Sequence, residues 1–408
     1  MPKNLSKIIA VFFIFLLALG LRLYLLPKPG FTSDIRLFLY WGQRIENEGL
    51  ASVYNKNSYS QGVDYPFLIP LATSYLTRVT GDSPTSEQDL LFKIVPTLAE
   101  LILVAVCAFL IMRSKIKYKW PLVTLVAIQP ALALVTSGWG QVDSILSLLI
   151  LLAFLLIDKN NFLATFVIFL SFLVKPQAIP AVLIFFLFLV SKRKWLELVK
   201  QVLFFIFLFS VLIIVFKFFA GANLLDPYIK SVGRYENLSL NAFNFWWAIF
   251  GRSAWEITDS IQSGITYRQE GFLLLAVFFI PVLTYLMGRK RNFEEAILAM
   301  SYTYLIFFIF PTEIHERYLY PAVVFFSIAS LLDKKIFISY LVLSATFLVN
   351  VFAVLQTYYP QFAFLRFDLL EGGWTRVPAI VNVTIAIFIS VFLIFESYKT
   401  VKARSEEE

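Results

Sequence analysis

Long apolar runs alternate with short polar intervals along nearly the whole chain, at residues 8–26, 92–112, 120–137, 143–157, 162–174, 177–191, 202–220, 271–288, 295–311, 318–332, 336–356 and 377–396. The runs at 8–26, 203–220 and 377–395 are apolar on every side of a helix, whereas a helix facing water keeps one polar face. In a bilayer the backbone must satisfy itself, so runs of this length predict helices. The expected fold is an all-α polytopic membrane protein of about twelve transmembrane helices, a single integral membrane domain over residues 1–408. Several runs are short for a hydrocarbon core of about 30 Å, which predicts tilt or partial burial inside the bundle. The first run is too long for a signal-peptide core and lacks a small-residue cleavage site, so it is expected to be the first span.

The longest polar interval of the N-terminal third, residues 33–66, has a helical pattern of its own. Ile35, Phe38 and Leu39 fall on one side, and Arg36, Gln43 and Arg44 on another. This predicts an amphipathic helix at the membrane surface, with Asp34 at its start and Phe38, Tyr40 and Trp41 at the headgroup level.

Charge then orients the chain. Basic clusters occur at Lys3 and Lys7, in RSKIKYK (113–119), at Lys159, in SKRKWLELVK (191–200), in GRKRNFEE (288–295), at Lys334 and Lys335, and over 399–404. They occupy alternate intervals, which predicts cytoplasmic N- and C-termini. On the opposite, extracytoplasmic face this topology puts Asp34, DYPF (64–67), SGWGQVD (137–143), KPQ (175–177) and HERYLYP (315–321). The same face holds a first large loop over 27–91 and a second over 221–270. One site assembled from distant loops is the economical reading. No internal repeat of the kind that marks inverted transporter halves is visible.

Composition narrows the classes. Of 408 residues 59% are hydrophobic and 15% charged, which excludes a soluble domain. The net charge of +8 resides in the basic intervals beside the spans, so the partner is the bilayer and not nucleic acid. Cys107 is the single cysteine, so no disulfide forms within the chain. One histidine and scattered carboxylates give no metal-ligand cluster, and no cofactor is expected.

Each polar motif supports two readings. Asp34 is either a solvated loop acid or a carboxylate at a helix start, kept ionised by the helix dipole and able to accept a proton from a hydroxyl. The stretch 137–145 reads as a tight connection with Gly138 and Gly140 as breakers and Asp143 as the cap of the next span. That still leaves Trp139 and Gln141 to face a sugar, as a stacking platform and an amide donor. Lys175, between two wholly apolar runs, either snorkels or binds a phosphate. His315, Glu316 and Arg317 sit together between Pro311 and Pro321; Arg317 and His315 suit a phosphate, with Glu316 orienting one of them. The aromatic stretch NAFNFWWAIFG (241–251) is a re-entrant or interfacial helix, or plain packing.

In order along the chain, Asp34, Trp41 seven positions later, DYP (64–66), WGQVD (139–143), KPQ (175–177) and HERYLYP (315–321) form a set that resembles the GT-C superfamily of polyprenyl-phosphate-sugar-dependent glycosyltransferases. It is most similar to the bacterial and archaeal proteins related to the GPI-anchor mannosyltransferase, and more distantly to the endoplasmic-reticulum glucosyltransferases that extend lipid-linked oligosaccharides. Relatives often read Asp-Tyr-Pro-Pro where this chain has Phe67 as the fourth residue. The resemblance implies a GT-C-like bundle with amphipathic helices in the first outer loop, Asp34 as general base, and a lipid-phosphate sugar as donor. It implies catalysis facing away from the cytoplasm. A lipid donor also fits the residues themselves, since nucleotide sugars are cytoplasmic and the polar motifs are expected outside.

The expected reaction is inverting transfer of a hexose, with mannose foremost, to a glycan, lipid or protein acceptor. Lys175, His315 and Arg317 are expected to hold the donor phosphate. Trp41, Asp64, Tyr65, Trp139, Gln141, Asp143, Gln177 and Glu316 are expected to contact sugar or acceptor, or to support Asp34. A carrier or flippase for polyprenyl-linked or other anionic substrates is the alternative. It needs polar residues through the cytoplasmic half of the bundle, and those are sparse. An O-antigen-type ligase would use the same kind of donor with a different base.

Overall fold

The computed structural model describes residues 3–54, 63–81, 85–219, 221–260, 264–288, 291–359 and 368–406. Residues 55–62 of the first polar interval, 261–263 of the second large loop, and Arg289 and Lys290 of the basic clusters lie outside the described residues. The N-terminal helices are α1 (Lys3–Leu25), α2 (Thr32–Glu48), α3 (Ala51–Tyr54), α4 (Leu68–Thr80), α5 (Thr85–Arg113), α6 (Lys119–Ile128) and α7 (Pro130–Ala133). The middle of the chain forms α8 (Asp143–Leu156), α9 (Asn161–Val174), α10 (Ile179–Ser191), α11 (Trp195–Phe219), α12 (Asp226–Lys230) and α13 (Phe245–Phe250). The last helices are α14 (Tyr267–Gly288), α15 (Phe293–Ile309), α16 (Tyr320–Ala329), α17 (Lys334–Tyr358) and α18 (Arg376–Ser405).

Every apolar run is thus helical, and the chain is an all-α membrane protein. Among the described residues six helical stretches are long and apolar enough to cross a bilayer: Ser86–Arg113, Lys119–Trp139, Trp195–Phe218, Tyr267–Gly288, Lys334–Tyr358 and Gly373–Thr400. Four more, Ile9–Leu25, Asp143–Leu156, Asn161–Val174 and Pro176–Ser191, are apolar but shorter. A helix such as α8, at about 1.5 Å per residue, covers only about two thirds of a hydrocarbon core of about 30 Å. The burial pattern separates two populations. Helix α15 is buried along almost its whole length and packs with α16 in the centre, whereas α11 leaves Leu203, Ile206, Phe207, Ile214 and Phe218 exposed.

The expected amphipathic helix is α2, and its apolar face meets protein. Ile35, Phe38, Leu39, Trp41 and Ile45 are buried, and Phe38 stacks on Phe92 of α5. Phe38 and Trp41, expected at the lipid headgroups, are core residues instead, because α4 and α5 cover that side of the helix. The α2–α4 contact is close: a Cβ added at Gly42 would lie 2.5 Å from the Thr73 carbonyl oxygen.

A buried ion pair stitches the first helices together. Arg22 of α1 donates to Glu100 of α5 at 2.7 Å and to the Ala127 carbonyl of α6 at 2.7 Å. An unpaired charge among apolar helices is costly, so the pair fixes the relative depth of these helices.

Two loops meet through a short parallel pairing, the only sheet among the described residues. Strand β1 (Ser239–Leu240) pairs with β2 (Ile314–His315). The aromatic stretch that follows β1 does form a short helix, α13, capped by Asn244, with Trp246 donating to the Phe310 carbonyl at 2.8 Å. Buried Asn350 and Asn382, from α17 and α18, bind the backbone of Asn241 and Phe243 just before it.

Candidate functional site

The site lies where several helix ends meet, and local backbone chemistry explains why each end is there. After α7 the chain forms a π-helical turn, Leu134–Trp139, stopped by Gly140 at φ 93°. A Cβ on Gly140 would lie 2.6 Å from the Ile35 side chain, so the left-handed conformation and the close approach both need glycine. Gly138 sits inside the π turn and does not break it, and the residue capping α8 is Val142, with Asp143 first in the helix. Pro176 disfavours helical backbone at the residue before it, so Lys175 is extended (φ −156°, ψ 140°) and ends α9.

These breaks converge on Asp34, in the first turn of α2. The Phe31 N–H donates to the Trp139 carbonyl at 2.8 Å, which docks the start of α2 on the π turn. From there Trp139 Nε1 donates to Asp34 Oδ2 at 3.0 Å, and Gln141 Nε2 donates to the same oxygen at 2.6 Å. Arg317 Nη2 lies 3.6 Å from that oxygen, and its Nη1 is 3.2 Å from Glu316 Oε1. Among the described residues no hydrogen bond or ion pair reaches Asp34 Oδ1, and the side chain is one-quarter exposed. Phe31 stacks on Trp139 at 4.6 Å and on Tyr359 at 4.4 Å, so the Trp139 ring is clamped in a column of aromatic rings.

A second ion pair is nearby and fully enclosed. Lys175 Nζ contacts both carboxylate oxygens of Asp143, at 3.0 and 3.1 Å, and both side chains are 1% exposed. Tyr318 lies between the two clusters, its ring 4.9 Å from Lys175 Nζ and 5.9 Å from the Arg317 guanidinium. His315, on β2, packs edge-on against Tyr235 and Tyr318. Burial, reinforced by the cations Arg317, Lys175 and Arg234, holds its imidazole well below the usual histidine range, so it is neutral. Burial pushes the Glu316 carboxyl up, against the pull of Arg317.

Beside this cluster is a cavity of about 450 Å³. Its polar end carries Asp64, Gln177, Arg234, Arg268 and Glu313, and its apolar wall is built from α10, α14 and α15. Ile179, Leu183 and Phe272 belong to that wall and are also strongly exposed on the outer face of the bundle, so the cavity opens sideways between α10 and α14. Asp64 pairs with Arg234 at 3.2 Å, and burial pushes its carboxyl up against the pull of that guanidinium.

Of the residues singled out from sequence, the structure brings Asp34, Trp139, Gln141, Glu316 and Arg317 into one cluster, with Lys175, Asp143 and His315 around Tyr318 next to it. Gln177 lies on the cavity wall, its carbonyl accepting from Tyr304 at 2.9 Å. Tyr65 is buried, packing edge-on against Phe38 while lining the cavity, and Trp41 packs behind it against Phe38 and Tyr65. Sequence reasoning missed Arg234, Arg268 and Asp259. Arg268 spans two acids, at 2.7 Å from Asp259 and 3.1 Å from Glu313. Arg234 and Asp259 lie in ordinary-looking loop sequence and Arg268 at the start of α14, and contacts between distant segments, among them the β1–β2 pairing and the Asn237–Thr258 bridge, bring them together. No group of three or more metal-ligating side chains occurs among the described residues.

The family model for glycosyltransferase family 87 matches residues 90–311, more than half of the chain. No curated protein matches the chain. The chain belongs to glycosyltransferase family 87, and it is an enzyme, a membrane-embedded glycosyltransferase of GT-C type.

Proposed function

We propose that this family 87 enzyme moves a hexose, mannose foremost, from a polyprenyl-phosphate donor to a hydroxyl of a glycan, lipid or protein acceptor on the extracytoplasmic face. The observation that carries this reading is the convergence on Asp34. Donors from the end of the π turn (Trp139), from just after it (Gln141) and from the turn before α16 (Arg317) meet on one of its oxygens. With Oδ2 held in this way, Oδ1 is left to face an acceptor hydroxyl. As the hydroxyl oxygen bonds to the anomeric carbon, its proton passes to Oδ1, and the bond from the anomeric carbon to the phosphate oxygen breaks. The electron pair leaves with the polyprenyl phosphate, and the configuration inverts. A carboxylate is a weak base, so proton transfer comes late, when bond formation has acidified the hydroxyl.

The leaving phosphate gathers negative charge, and fixed positive groups beside it lower the barrier. Arg317 and neutral His315 supply donors at this edge, and Lys175 adds its charge from its place on Asp143. The apolar wall of the sideways cavity suits the first isoprene units of the donor. Trp139 and Gln141 act through Asp34, and Trp41, Tyr65, Asp64, Gln177, Asp143 and Glu316 shape the space around sugar and phosphate.

The test is transfer by the purified protein in liposomes, offered radiolabelled polyprenyl-phosphate mannose and, separately, the glucose analogue, with a panel of acceptors. Asp34→Asn keeps the shape and loses the base, so transfer is expected to fall by about 10²–10⁴-fold in a folded protein. Transfer that survives in Asp34→Asn would remove Asp34 from the centre. Absence of transfer from either lipid donor would remove the donor class.

A further inference from the structure

The cations of the site are not equivalent. Lys175 is committed to both oxygens of Asp143 and does not line the cavity, and Arg317 is shared between Asp34 and Glu316. Two guanidinium groups line the cavity, Arg234 and Arg268. Arg268 is held by Asp259, which Thr312 also binds at 2.9 Å, and by Glu313. It therefore has a structural task, and the object it holds is the loop that carries Arg234. The Gly233 and Tyr235 N–H groups, on either side of Arg234, each donate to a carboxylate oxygen of Glu313 at 3.0 Å. Glu313 itself takes φ 63°, a left-handed backbone that a non-glycine residue adopts at a cost. Arg268, Glu313 and the strained turn form a clamp that aims Arg234 at the polar end of the cavity. There its guanidinium meets Asp64, at the same end as Gln177 and about one ring from His315 through Tyr235.

A carboxylate on a cavity-lining arginine occupies the position a phosphate would take, because both anions accept from the same planar fork. We propose that Arg234 is a further ligand of the donor's lipid phosphate, beside Arg317 and His315, and that Asp64 is its resident counter-anion, which the phosphate displaces. The assignment rests on the lipid-phosphate reading of the donor, and it places the phosphate at the mouth of the apolar wall that would hold the lipid. Displacement makes a prediction that a purely structural ion pair does not: removing the charge of Asp64 strengthens anion binding, whereas removing that of Arg234 weakens it.

The experiment measures binding of a polyprenyl monophosphate, without sugar, to the full-length protein in detergent, with inorganic phosphate as a separate ligand. Arg234→Gln is expected to weaken lipid binding by about tenfold to a hundredfold, the loss of a charge-assisted hydrogen bond. Arg234→Lys is expected to recover part of it. Asp64→Asn is expected to bind the lipid at least about threefold more tightly than wild type, since the competing anion is gone. If Arg234→Gln does not fold, the Asp64→Asn result decides alone. A wild-type affinity in Arg234→Gln, or weakened binding in Asp64→Asn, overturns the assignment while leaving the donor reading intact. Inorganic phosphate binding as tightly as the lipid overturns the lipid source. No binding of polyprenyl phosphate by the wild type overturns this assignment and the donor reading together.

Discussion

Three N–H-bearing side chains aim at one oxygen of Asp34, and the chain reaches that arrangement from positions more than a hundred residues apart. At this scale the sequence was informative where an uncommon residue lies in a short interval between apolar runs, as do Gln141, Lys175 and the His315–Arg317 group, and where one opens an amphipathic pattern, as Asp34 does. It did not reveal pairing. Lys175 as a solitary cation suggested a phosphate, yet its charge is matched by Asp143, because isolated burial of either ion is costly. Lys175→Met is therefore expected to destabilise the protein by about 3–5 kcal/mol, read as a fall in melting temperature in detergent. The double change Lys175→Met with Asp143→Leu should recover most of that loss, since no buried charge is then left alone. His315 gives a pH signature. Its folded-state pKa lies well below that of an unfolded histidine, about 6.5, so between the two values only the unfolded chain takes up the proton. Stability contributed by neutral His315 is complete above about pH 7 and is lost as pH falls through 6.5 and below. In melting curves from pH 5 to 8, His315→Gln is expected to lose that part of the acid-side decline.

At the scale of elements, periodicity worked for α2 and all-round apolarity worked for the buried and lipid-facing helices alike. What neither signal carries is the partner of a face. The apolar stripe of α2 reads the same whether it meets lipid or α4, and the glycine that decides the matter, Gly42, is one unremarkable position in the stripe. A methyl group there meets the Thr73 carbonyl, so Gly42→Ala is expected to cost about 1–3 kcal/mol and to lower transfer, because Asp34 rides on the same helix. The turn at 134–140 shows the complementary failure. Its two glycines promised a break, but only Gly140 takes the left-handed backbone, and Gly138 continues in a wider helical turn.

For the molecule as a whole, the runs of apolar sequence located every helix longer than α2, whereas their length did not settle how many cross the bilayer. Helices α8, α9 and α10 are short, and α15 and α16 are sheathed by others, so composition alone does not distinguish a span from a core helix. The expected topology has a direct check. Cys107 is buried, so cysteines introduced elsewhere can be read without background. Cysteine at Ser33 or Ser260 is expected to react with a membrane-impermeant maleimide on intact cells, and cysteine at Lys115 only after lysis; the reverse pattern would invert the orientation.

The sideways opening between α10 and α14 also changes what concentration means for this enzyme. The proposed lipid donor, entering past Ile179, Leu183 and Phe272, arrives from a two-dimensional solution, the membrane itself. Its chemical potential is then set by its mole fraction among the lipids, and stirring more buffer around the vesicles changes nothing. Adding inert phospholipid at fixed total donor should slow transfer in proportion to the surface dilution, and an apparent KM expressed per volume should drift with the lipid content of the assay.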